Sequence, residues 1–360
     1  MLYFSLQRKV NCIPGEISSL ENRHTAKKWG GKMKKLSAIP LVISLLFINY
    51  SSLTLAAESL PDASSLGLEN LTNDLSRQEL FVKILESDPS RDKEFDSFAV
   101  KKYFKFPADV AYDSVLNQPR PSSLFGVDIS HHNGRNFPIE LLAKNKSVFL
   151  YMKSSQGTRY VDPEFAGFWQ RAGDTERGIK LHRGAYHFLS SGTPADDAEL
   201  WGRKQAMTFV KVIKANGGLK ATDMPPAVDV EWDVDSLTGK DRWQKRKPAE
   251  IITMIKAFTA QVEADLGRKP VIYTARAWWK DAVGGENSFA QVAEHKLWLA
   301  DYSNQAQASE TPRSINQTKW AIWQFTDAAQ LNLGSSKKFD ASIYKGPTAE
   351  FYSTLGVQEF

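Results

Sequence analysis

Pro226-Ala-Val-Asp-Val-Glu-Trp232 is an apolar run with an acid at two alternate positions. Side chains on a strand alternate between faces, so Asp229 and Glu231 share one face while Val228 and Val230 share the other. The valine face suits a layer of covering helices, and the acid face suits an inner, polar mouth. At ~3.3 Å rise per residue the two acidic Cα atoms lie roughly 6.6 Å apart, close enough for their charges to interact. A protonated and an ionised carboxyl side by side is the arrangement that acid-assisted cleavage of a glycosidic bond uses.

Around this run, short apolar stretches alternate with amphipathic ones, the pattern of an α/β domain with a largely parallel sheet. Eight strands are predicted: Leu124 to Ser130, Ser147 to Ser154, Leu181 to Leu189, Pro226 to Trp232, Pro270 to Ala275, Lys296 to Tyr302, Trp320 to Thr326 and Phe339 to Tyr344. Thr193 as N-cap, Pro194 at the first helical position and Gly217 past the end frame one long helix, and Pro248 and Gly267 frame another. Later connections are too short or too polar for full helices, so the expectation is an irregular TIM-like barrel of eight strands.

In a barrel, chemistry gathers at the C-terminal ends of strands. Phe125-Gly-Val-Asp-Ile-Ser130 adds a third acid there: Asp128 and Ser130 face inward if Val127 and Ile129 face outward. A lone Asp-x-Glu commonly caps a turn or binds an arginine, and three carboxylates are also a set that a hard cation would take. No histidine lies on those strand ends at ligand-like spacing, however, and the adjacent His131 and His132, expected to point apart on an extended segment, are read as loop packing. No metal or other cofactor is expected. Nine of the ten tryptophans follow residue 168, and Tyr186, Tyr273, Trp278, Trp279, Trp298 and Trp323 fall at or near strand ends. Most of these rings fill the core, but such side chains also stack on the apolar faces of sugars.

The chain has 360 residues, 42% hydrophobic and 24% charged, which excludes a disordered or collagen-like polymer. Its formal charge of +5 comes from the first 57 residues, with eight Lys/Arg against two acids. Residues 58 to 360 carry the other 38 basic and 39 acidic groups, near −1. Nothing in that balance supports a nucleic-acid groove. The single cysteine, Cys12, excludes an intramolecular disulfide framework. Lys32, Lys34 and Lys35 precede the apolar run Leu36 to Ile48, which is followed by the small residues Ala56 and Ala57. This is a signal-peptide layout, with an apolar run short of the ~20 residues of a spanning helix. Residues 1–57 are therefore a leader, with Met33 as the expected start, and the mature chain is expected to be secreted or periplasmic without a membrane anchor. Residues 58–122 hold no Trp and space Leu68, Leu71 and Leu75 helically, ending in Asn117-Gln-Pro-Arg-Pro-Ser-Ser123. They are expected to form a short helical appendage and linker ahead of a catalytic barrel over 123–360.

From Phe125 to Tyr344, about 220 residues, the chain resembles the lysozymes of glycoside hydrolase family 25. The resemblance rests on FGVDISHHNG (125–134), FLYMKSSQGTRYVDPEF (149–165), RGAYHF (183–188), PAVDVEW (226–232), KPVIYT (269–274), LWLADY (297–302), WQF (323–325) and FDASIY (339–344), in order. It implies an eight-stranded irregular barrel with about five helices, acting on peptidoglycan glycan chains at the β-1,4 bond between N-acetylmuramic acid and N-acetylglucosamine. By position it implies Glu231 as proton donor, Asp229 as the group that orients or polarises the sugar's acetamido group, and Asp128 as part of the acidic floor. Tyr186, Tyr273, Trp298, Gln324 and Asp340 match groove positions. Gln156 stands where an acid is common, and Asp301 fills a variable slot. A chitinase-like glycosidase similar to family 18 also carries Asp-x-Glu on its fourth strand, but Ala227 stands where that family has an acid. A glycan-binding module without catalysis is the third alternative, and the oligomeric state stays open.

Overall fold

The computed structural model describes residues 104–113, 118–120, 122–303, 306, 309–331 and 338–360. The leader and most of the expected helical appendage lie outside the described residues. In chain order the elements are β1 (Phe104–Phe106), α1 (Ala108–Ala111), β2 (Tyr112–Asp113), β3 (Gln118–Pro119), β4 (Ser123–Ile129), α2 (Ile139–Lys144), β5 (Ser147–Gln156), β6 (Tyr160–Val161), α3 (Phe165–Ala172) and β7 (His182–Phe188). They continue with α4 (Ala198–Ala215), β8 (Ala227–Asp229), α5 (Pro248–Leu266), β9 (Val271–Ala275), α6 (Arg276–Ala282), β10 (Leu297–Ala300), β11 (Trp320–Leu331), β12 (Phe339–Lys345) and α7 (Thr348–Leu355).

Strands β4, β5, β7, β8, β9, β10 and β11 pair in that order, all parallel. β12 closes the ring by pairing antiparallel with both β11 and β4. These are the eight strands read from the sequence, and the single reversed strand makes the barrel irregular. β6 pairs with β5 off the ring, and β2 pairs with β3 as a separate ribbon.

The long helices begin as local chemistry dictates. α5 starts with Pro248 at its first position and ends at Gly267, whose φ of 67° is the left-handed geometry that glycine tolerates. α4 starts four residues later than its Thr193-Pro194 signal suggests. The Asp196 carboxylate accepts from both the Thr193 N–H (2.7 Å) and its hydroxyl (2.8 Å), which ties that segment into a turn. The helix begins after it, with Asp197 accepting from the Leu200 N–H at 2.8 Å as the true cap.

Inside the barrel, large rings on one strand face glycines on the next. A Cβ at Gly126 would sit 2.1 Å from the Phe149 ring, and one at Gly184 would sit 2.4 Å from the Tyr151 ring. Phe149 and Tyr151 thus point inward and fill the lower barrel, with Trp298 against Tyr151 at 4.5 Å. The same parity brings Lys153 inward one step higher.

Outside, parallel strands reach one another through crossovers that carry helices. β11 and β12 are antiparallel neighbours and need no crossover between them, so the outer face there takes other cover. β1 supplies it, pairing in parallel with Ala329–Leu331. Phe104 stacks on Phe125 (4.9 Å) and meets Phe325 edge-on (5.0 Å), while Phe106 reaches Phe339 at 6.0 Å. The packing of the barrel therefore begins at Phe104, inside the stretch assigned from the sequence to appendage and linker. Among the described residues no helix is long and apolar enough to cross a membrane.

Candidate active site

The strand register builds the site layer by layer. Phe188 on β7 pairs with Asp229 on β8, Asp229 with Tyr273 on β9, and Tyr273 with Trp298 on β10. Asp340 on β12 pairs with Asp128 on β4. Each of these side chains shares the inward parity, so all six open into one groove at the C-terminal end of the parallel strands. The groove has a volume of about 780 Å³ out to open solvent and is lined by Asp128, Ser130, His132, Lys153, Tyr186, Phe188, Asp229, Glu231, Trp232, Val234, Tyr273, Trp298 and Asp340.

β8 ends at Asp229, yet Glu231 keeps the inward direction because the chain stays tied to its neighbours: the Leu189 N–H donates to the Asp229 carbonyl and the Val230 N–H to the Tyr273 carbonyl, both at 2.9 Å. The Trp243 indole then donates to the Glu231 carbonyl at 2.9 Å. Asp128, Asp229 and Glu231 are 7%, 5% and 5% exposed, so their carboxyls meet solvent only through the groove.

Gln324, expected as a groove contact, stands fully buried behind Asp128 instead. Its side-chain oxygen accepts from the Tyr273 hydroxyl at 2.7 Å and from the Tyr302 hydroxyl. Two hydroxyl donors on one amide oxygen fix the amide's orientation, and its NH2 donates to Asp128 Oδ2 at 2.8 Å. Trp298 is oriented by its indole N–H on Ser342 Oγ at 3.1 Å. Burial, and then the negative charges of Asp128, Asp229, Asp162 and Asp340, push the Tyr186 phenol well above its usual range, so it stays a neutral hydroxyl.

The other aromatic candidates are core. Trp278 and Trp279 lie buried on α6, donating to Asp241 Oδ2 and Ser288 Oγ, and Trp323 donates to the Asp301 carbonyl. Burial opposes ionisation of Asp301, but the Arg313 side chain and N–H groups outweigh it and hold the carboxyl below its usual range. Gln156 accepts from Lys153 Nζ at 2.7 Å.

The histidine pair departs from its expected geometry. Ser130 caps a 3-10 turn over His131–Asn133, so the segment is not extended and the two rings lie 4.1 Å apart. His131 Nδ1 bonds Asp162 at 2.9 Å, while His132 lines the groove. Among the described residues no group of three or more His, Cys, Asp or Glu side chains is placed to hold a metal ion. Lys153, His132, Phe188 and Trp232 are groove residues that sequence reasoning passed over; strand parity carried through Phe149 and Tyr151 would have found Lys153.

The family model of Glycosyl hydrolases family 25 matches residues 127–333, a span that holds Asp128, Asp229 and Glu231. An N,O-diacetylmuramidase from Chalaropsis sp is 31% identical over 198 residues, 54% of this chain and 84% of the relative. Lysozyme M1 of Streptomyces globisporus is 28% identical over 233 residues, 63% of this chain and 70% of the relative. The solved bacterial lysozyme from Streptomyces coelicolor matches the fold with a TM-score of 0.53 at 24% identity, over 65% of this chain and 97% of its own.

Proposed function

This chain belongs to Glycosyl hydrolases family 25, and from that premise we propose that it is a secreted or periplasmic muramidase, cutting the β-1,4 bond between N-acetylmuramic acid and N-acetylglucosamine in peptidoglycan. The observation that carries this proposal is the opening of Asp229 and Glu231 into one groove beside Asp128, over a floor of aromatic rings.

Glu231 gives its proton to the glycosidic oxygen as the bond from that oxygen to the anomeric carbon breaks. Asp229 orients the acetamido group of the muramyl sugar, whose carbonyl oxygen takes the anomeric carbon. Water then displaces that oxygen from the anomeric carbon, which restores the acetamido group, gives a proton back to Glu231 and leaves a new muramyl reducing end. Asp128, held by Gln324, completes the acidic floor. Tyr186, Tyr273 and Trp298 offer ring surface to the sugars, and Tyr186 its hydroxyl, with Asp340 at the rim. Export rests on the leader pattern from Lys34 to Ala57.

Digesting purified peptidoglycan and chitin in parallel, and identifying the new reducing end by mass spectrometry, tests the proposal. N-acetylmuramic acid at the reducing end is the expected product. Cleavage of chitin alone, or binding without any new reducing end, would reject it.

A further inference from the structure

The loop that follows Glu231 is assembled around one buried carboxylate, that of Asp241. Its Oδ1 accepts from the main-chain N–H groups of Asp233 (3.0 Å) and Trp243 (3.2 Å), and its Oδ2 accepts from the Trp278 indole on α6 (3.1 Å). Asp241 also bridges Val234, which lines the groove. Trp243 packs edge-on against Trp278 at 5.8 Å, and its own indole N–H holds the Glu231 carbonyl. One carboxylate thus joins the two ends of the loop to α6, and the residue it fixes touches the main chain of the proposed acid.

We propose that Asp241 is a positioning residue for Glu231: by fixing Trp243 it sets where the Glu231 carboxyl stands over the scissile bond. The proposal rests on the assignment of Glu231 as proton donor. Asp233, from the same loop, accepts from the Ser191 N–H and hydroxyl, both at 2.8 Å, and faces Arg242 at 3.7 Å. Arg242 also faces Asp235 at 3.6 Å, Arg246 is turned to the Ser191 carbonyl, and α6 presents the neutral Trp278 indole.

All three groups that Asp241 accepts from are N–H donors, so its ionised form makes the stronger clamp. Burial pushes its pKa up to about 7, with the charge of Asp233 adding to the rise. The clamp therefore tightens as pH rises through that value.

The test is Asp241→Asn, whose NH2 must meet either the Trp278 N–H or the two main-chain N–H groups donor to donor. On soluble peptidoglycan fragments kcat is expected to fall roughly 10-fold or more with KM little changed, the signature of a misplaced group rather than lost binding. The ratio of wild-type to variant kcat should grow as pH rises, following one ionisation near 7. A ratio that is flat across that range, or a loss carried by KM alone, overturns the proposal.

Should the variant fail to fold, the near-UV circular dichroism of the wild-type protein decides. A tryptophan transition centred near pH 7 supports the clamp, and its absence overturns it. Glu231→Gln is measured alongside. If it is inactive while the ratio is flat, only the role of Asp241 falls; if it stays active, the acid assignment falls and takes the clamp with it.

Discussion

Replacing the Glu231 carboxyl with an amide keeps its size and hydrogen bonding and removes its proton. Glu231→Gln is expected to lose at least about 100-fold in turnover with its thermal midpoint unchanged, since general acid catalysis contributes ~100 to 10,000-fold; a variant keeping more than about a tenth of the wild-type rate would reject the assignment. Asp229 is tested from the substrate side. If it steers an attacking acetamido group, glycans stripped of their acetyl groups should show a lower turnover number, because a free ammonium cannot attack the anomeric carbon. Unchanged turnover with only weaker affinity would transfer the second catalytic role to Asp128. At this scale strand parity made the acids legible, because one inward and one outward direction is all that a strand offers. Gln324 was legible as a groove position only through the family resemblance, and its support of Asp128 depends on Tyr302, which follows the neighbouring strand β10. His132 was missed because a side-chain cap at Ser130 turned an apparently extended segment into a 3-10 turn.

Among the elements, β1 is the one that composition concealed. Phe104-Lys105-Phe106 alternates apolar and polar residues but is too short to read as a strand alone, and it packs on Phe125, Phe325 and Phe339 where the antiparallel β12 joins β11. The barrel strands were legible because each carries its own apolar signal, whereas β1 takes its pairing from Ala329–Leu331, more than 200 positions away. Removing residues 1–103 is therefore expected to leave a folded, active barrel. Removing residues 1–122 also strips Phe104, Phe106 and Val110 from the core, and with ~3 to 5 kcal/mol lost for each buried Phe truncated the barrel should become markedly less stable. Thermal unfolding of the two truncations separates the cases: equal midpoints would mean that the strap contributes nothing.

Over the whole molecule, two buried groups tie stability to pH in opposite senses. His187 lies between Ser155 and Gln205, and burial, with the charge of Lys153 adding to it, lowers its pKa to about 3 against some help from Gln205. The unfolded chain binds a proton there near pH 6.5 and the folded chain does not. The contribution of His187 is thus complete above about 6.5 and is lost as pH falls toward 3, by an amount on the order of a few kcal/mol. Asp241 runs the other way: the folded chain keeps a proton that the unfolded chain releases near pH 4, so stability falls as pH rises toward 7. Comparing wild type with His187→Gln isolates the first effect, and the variant's unfolding midpoint should fall less between pH 6.5 and 3. Parallel drops in the two proteins would reject it. The strap has a mechanical meaning as well. Because β1 is joined to the ring through its pairing with Ala329–Leu331, tension on the chain ahead of Phe104 reaches that pairing before it reaches the ring itself. Pulling between residue 103 and Phe360 in a force-spectroscopy experiment should show strap release as a separate event that precedes opening of the barrel.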